Sequence, residues 1–180
     1  MLGVACASIG AAAPASARSE ASYFPIQMTG AAGPLRLGMP RKAALKFLHH
    51  PRYPALRSRV RCAQYVMQLD SRRGLVGVCF SRPAGRVIGF SVSGGAFCFS
   101  PNACVNGNDP VPRGIRTKFR RVFNPTNGVY YSYARQTLRG TKYGVVLEGP
   151  SADPKWSIRA MGFAPCSASS TVKYYVPVRC

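Results

Sequence analysis

Acidic side chains are nearly missing from this chain of 180 residues: Glu20, Asp70, Asp109, Glu148 and Asp153 stand against 25 Lys and Arg, for a net charge of +20. Hydrolysis by paired carboxylates needs two acids brought together, and no two of these five form a recognisable pair. Histidine is as scarce. His49 and His50 are adjacent, not spaced for tetrahedral metal coordination, and either would have to meet a distant Ser and acid to build a triad. No Gly-x-Ser-x-Gly, P-loop or dinucleotide fingerprint is present. Beyond the first residues no run approaches 18 consecutive apolar positions, so no transmembrane span is expected after processing. The expectation is a chain that is not an enzyme, with no catalytic residues, no metal and no small-molecule cofactor.

What is present is 47% hydrophobic residues, enough for a folded chain. The basic excess is mostly arginine, 19 against 6 lysines. Such a surface favours anionic partners: nucleic acid, lipid head groups or acidic wall polymers.

Residues 2–13 are small and apolar, and Ala15-Ser16-Ala17 fits a small-x-small cleavage site, so residues 1–17 read as a signal peptide leaving Arg18 as the new N-terminus. No Lys or Arg precedes the apolar run, and Gly3 stands where a lipidation box around Cys6 would want an aliphatic residue. Six further cysteines, Cys62, Cys79, Cys98, Cys104, Cys166 and Cys180, suit three disulfides in an exported chain, with fifteen pairings possible. A short turn-rich loop favours Cys98–Cys104, a hairpin favours Cys62–Cys79, and proximity alone favours Cys166–Cys180.

Residues 18–34 read as a flexible arm, in which Tyr23 to Met28 forms an edge strand weakened by Pro25. Ile115, Phe119 and Val122 lie at i, i+4 and i+7, a helical apolar stripe, with Arg113, Arg116 and Arg120 as a second stripe. Shifted back by 72 positions, Pro112-Arg113 falls on Pro40-Arg41 and Lys118-Phe119 on Lys46-Phe47. Strand candidates follow each helix. Val76, Val78 and Phe80 alternate, as do Ile88, Phe90 and Val92, while Cys62 to Leu69 is ambiguous in its faces. In the second half Tyr130, Tyr131 and Tyr133 mark one strand, with others near Lys142 to Glu148 and Lys155 to Phe163. The expected fold is α+β: two tandem units, residues 35–92 and 112–164, each one short helix plus a three-stranded antiparallel meander, stapled by disulfides. A turn-rich loop, residues 93–111, joins them, and residues 165–180 add a C-terminal edge strand over Val172 to Val178 and a tail.

Leu37-Gly38-Met39 before a helix with Ala43-Ala44 resembles the helix start of small exported bacterial domains, namely the outer-membrane assembly lipoproteins of the SmpA/OmlA type and the tandem-repeat β-lactamase inhibitor proteins. Gly114-Ile115 is similar to the Gly-Ile before the second helix of related secreted proteins. The resemblance covers the two helix starts and the order of elements. It implies helices packed on one side of an antiparallel sheet, and an extracellular or periplasmic location in a bacterium.

Two binding readings follow. The first is an anionic polymer, or a membrane or wall surface. It would be held by Arg52, Arg57, Arg59 and Arg61 (the last three alternating as in an extended chain) and by the Arg113, Arg116, Arg120 stripe. The second is an extracellular protein, held or inhibited through Tyr130, Tyr131, Tyr133 and Trp156 on an exposed sheet face.

Overall fold

Alternating apolar and small residues put most of this chain into strands. The computed structural model describes residues 22–48, 61–149, 156–169, 172, 176 and 178–180. In chain order these hold β1 (Phe24–Gln27), β2 (Ala31–Ala32), β3 (Leu35–Arg36), α1 (Arg41–Ala44), β4 (Arg61–Leu69), β5 (Arg72–Phe80) and β6 (Val87–Ser100). There follow β7 (Ala103–Val105), α2 (Arg113–Arg116), β8 (Arg120–Asn124), β9 (Val129–Leu138), β10 (Thr141–Gly149) and β11 (Ala160–Pro165).

All of these strands join one sheet. Its antiparallel body runs β4-β5-β6-β11-β10-β9-β8, so β11 comes back to lie between β6 and β10. β6 serves two sets of partners. Its first half pairs with β5 and β11, and its second half pairs with β7 and, in parallel, with β1. β2 and β3 extend the ribbon from β1.

This overturns the expected α+β architecture of two helix-plus-meander units. Strands take 57% and helices 7% of the described residues, in one mixed sheet. The two helices have four residues each and no side-chain cap. A helix that short gains too little from its own hydrogen bonds to propagate. After α2 the chain extends, so Arg120 and Val122 turn to one face of β8 and Arg121 and Phe123 to the other. The helical stripe of Ile115, Phe119 and Val122 therefore breaks after its first turn.

The connecting loop expected over residues 93–111 is also corrected. β6 continues through Gly94-Gly95 to Ser100, and β7 pairs back on it. Register shifts between Gly94 and Cys98 absorb the irregular stretch, while Ala96, Phe97 and Cys98 are fully buried. The segment expected as an edge strand at Tyr23 to Met28 is β1, bonded on both sides.

The sheet is covered on both faces. On the first face Val76, Val78, Phe80, Phe90, Val92 and Phe163 meet the β1–β3 ribbon, Ala44 of α1, and Val111, Phe119 and Ile158. This settles the ambiguity in β4, whose Ala63, Tyr65 and Met67 belong to that core. On the second face Cys62, Cys79, Val146 and Ala164 meet Val172, Val176 and Val178 of the C-terminal segment. The other residues of the C-terminal strand expected over Val172 to Val178 lie outside the described ones.

Two glycines make room for that segment. A Cβ on Gly162 would stand 2.6 Å from Val176 Cγ1, and one on Gly144 would stand 2.8 Å from Val178 Cβ and 3.1 Å from Cys180 Sγ. Only hydrogen at these positions lets the chain end lie against β10 and β11. Three disulfides fix the arrangement, Cys62–Cys79 across β4 and β5, Cys98–Cys104 across β6 and β7, and Cys166–Cys180 from the end of β11 to the chain end. They are the pairings that hairpin, loop and proximity favoured.

A basic groove on the second face

The site is assembled from β8, β9 and the C-terminal residues. In the β8–β9 register Arg120 lies opposite Tyr133 and Val122 opposite Tyr131, and directly opposed residues share a face. Arg135 follows Tyr133 at the strand period of two and joins the same face. The close seat on Gly144 and the Cys166–Cys180 bond bring Arg179 over the Tyr133 ring, its guanidinium carbon 5.4 Å from the ring centre. Lys118, in the turn between α2 and β8, completes the rim.

The result is a groove of about 560 Å³ lined by Lys118, Arg120, Val122, Tyr133, Arg135 and Arg179, with Ala134 and Cys180. Among the described residues no Asp or Glu side chain lines it. Glu148 is near enough to Tyr133 to add to the rise of its phenol, but it and Asp109 each have a partner. Arg159 holds Glu148 at 2.7 Å, and the backbone N–H of Cys104 donates to Asp109 Oδ2 at 3.0 Å. Among the described residues no cluster of three His, Cys, Asp or Glu is placed to hold a metal ion.

Tyr133 forms the floor. Burial raises its phenol above the usual range, and the Arg179 charge opposes part of that rise. Its ring stacks beside Tyr131, with centres 6.1 Å apart and planes 18° from parallel. The Tyr131 hydroxyl accepts a hydrogen bond from Asn127 Nδ2 at 3.0 Å. Both rings pack against the second-face cluster. Tyr133 alone of the two lines the groove, and both are partly buried.

The expected site residues are distributed as follows. Arg52, Arg57 and Arg59 lie outside the described residues, and Arg61 opens β4 opposite Phe80. Arg113 is exposed on α2, and Arg116 Nε donates to the Val111 carbonyl at 2.6 Å, a local structural contact. Only Arg120 of that triplet reaches the groove. Tyr130 and Trp156 sit on the first face and enclose the Arg121 guanidinium, at 3.9 Å and 5.0 Å from their ring centres. Tyr130 also packs on Phe123, 4.9 Å between ring centres. Tyr131 and Tyr133 face the opposite side, so the four aromatic candidates do not share one surface.

Sequence reasoning missed Arg135, Arg179 and Lys118. Arg135 carried a usable signal, since it stands two residues beyond Tyr133 on a strand already identified. Arg179 was reachable only through the pairing of its neighbour Cys180 with Cys166. No protein-family model, curated protein or solved structure matches this chain.

Proposed function

We propose that this protein is an exported, non-catalytic binding module for an anionic polymer, and that the groove on the second face is its contact site. One observation carries the reading. Lys118, Arg120, Arg135 and Arg179 converge on a single groove, and among the described residues no Asp or Glu side chain lines it. Bringing four cations together costs Coulomb energy, which an anionic ligand relieves. Arginine forks suit planar or tetrahedral oxyanions because each can donate two parallel hydrogen bonds. The three disulfides fit an extracellular or otherwise oxidising compartment. No helix among the described residues is long and apolar enough to cross a membrane.

The test uses DNA and heparin as generic probes. Neutralising about four phosphates gives a slope of log K against log salt of roughly −3 to −4. The variant R120Q/R135Q/R179Q should lower affinity for both probes by about tenfold or more at low salt and flatten that slope. R72Q/R73Q/R82Q removes the same number of charges from exposed positions outside the groove and should cost much less. Equal losses from the two triple variants would reject the groove as the site.

A further inference from the structure

We infer that the groove is one end of a longer basic track along β9, and that its occupant is a flexible single chain of linked phosphates, not a compact anion, a duplex or a membrane surface. The inference rests on the groove reading above and adds the form of the ligand.

The track follows from register. Arg135 lies opposite Gly144 and Thr137 opposite Lys142, so Lys142 shares the groove's face and stands next along the strand. Arg135 and Lys142 are both exposed. Thr137, near the end of the β9–β10 hairpin, also lines a second cleft of about 530 Å³ that opens on the first face beside the β2–β3 ribbon, so the track turns round the hairpin end. Arg36, Arg139, Thr29, Thr141 and Tyr143 line it as well, and among the described residues no Asp or Glu side chain does. From Tyr133 to Arg139 the strand covers roughly 20 Å at about 3.3 Å per residue. Along that length the cations run Arg120 and Arg179, then Arg135, then Lys142, then Arg139 and Arg36.

A compact anion would meet only the first group. A ligand with regularly spaced charges meets them all, and each contact after the first is made at high effective concentration. The shape of the site selects among extended ligands. The two clefts open on opposite faces at the end of the hairpin, so a flexible thread can follow both where a bilayer or a duplex would meet only one. Single-stranded nucleic acid usually gains affinity by stacking bases on open aromatic faces. Here Tyr133 lies under Arg179 and both tyrosines pack on the second-face cluster, so the backbone charge is what the track can read.

The test titrates the full exported chain with tripolyphosphate and with long-chain linear polyphosphate at two salt concentrations. Affinity for the long chain, expressed per phosphate, should exceed that for tripolyphosphate by about tenfold. R36Q/R139Q should lower long-chain affinity by about fivefold or more and leave tripolyphosphate binding in the first groove within about twofold. R36K/R139K keeps the charge and should retain most of the long-chain affinity, which separates loss of contact from loss of fold. R72Q/R73Q is the control for diffuse charge. Equal affinity per phosphate for both lengths, or equal effects of R36Q/R139Q and R72Q/R73Q, would overturn the track while leaving the groove standing. Tighter binding to duplex DNA, anionic vesicles or polyglutamate than to polyphosphate would overturn the ligand form. If R120Q/R135Q/R179Q leaves every affinity unchanged, the groove itself fails.

Discussion

At the scale of single residues, Gly144 controls where Arg179 sits. Its missing side chain is what allows Val178 and Cys180 to rest on β10. Gly144→Ala forces a methyl group to within 2.8 Å of Val178 Cβ, an overpacked contact costing about 1–3 kcal/mol. We expect a matching fall in urea-unfolding stability together with weaker polyanion binding, because Arg179 moves with its neighbours. Gly114→Ala in α2 meets nothing within 4 Å and should alter neither property by much. The tyrosines give a second residue-level expectation. Tyr65, Tyr133 and Tyr143 all have phenols raised by burial. As pH climbs through the ordinary phenol range, the unfolded chain therefore releases these protons before the folded chain does. The unfolded state then binds fewer protons, so stability falls with rising pH in that window. Urea midpoints should be level below it and decline through it. Midpoints that rise through the same window would contradict the buried placement of these rings.

Among the elements, each disulfide staples a different part of the sheet, and the chain-entropy account makes each worth about 2–4 kcal/mol. The separations of 17 and 14 residues make Cys62–Cys79 and Cys166–Cys180 close in that account. Function should distinguish them. Replacing Cys166 and Cys180 by Ser should cost stability and also polyanion affinity, since Arg179 adjoins Cys180. Replacing Cys62 and Cys79 by Ser should cost similar stability and leave binding in place. Binding lost equally from both pairs would mean that Arg179 is not positioned by its staple. The same elements show what could be read from the sequence. The cysteine pairs were legible because each closes a short loop, so local spacing carries the information. β5 and the start of β6 were legible from strict alternation at Val76, Val78 and Phe80 and at Phe90 and Val92. The continuation of β6 was hidden by Gly94-Gly95, which looks like a breaker and here sits at a register irregularity. α2 was overread because apolar residues at i, i+4 and i+7 also fit a single helical turn followed by a strand. The groove was least legible. Arg135, Arg179 and Lys118 come from three places that only tertiary pairing brings together.

For the whole molecule, the place of β11 decides how the parts depend on one another. β6 pairs with β11 between residues such as Val92 and Met161, so the centre of the sheet joins distant parts of the chain. Contacts of such long range close slowly, because the intervening chain must be ordered before they form. Residues 18–110 expressed alone would leave one side of the first half of β6 unpaired and the second-face core without Val172, Val176 and Val178. That fragment should show no cooperative denaturant transition, while the full chain shows one. A cooperative transition in the fragment would mean that the first half folds alone after all. The position of β11 also sets a timetable for the chain's life before it folds. During synthesis the central pairing cannot be made until residues near 160 have emerged, so the growing polypeptide stays thread-like for most of its length. A polypeptide in that condition is in the form a secretion channel accepts. The strand that holds the finished sheet together thus also delays its completion until the last of the sheet's strands has emerged.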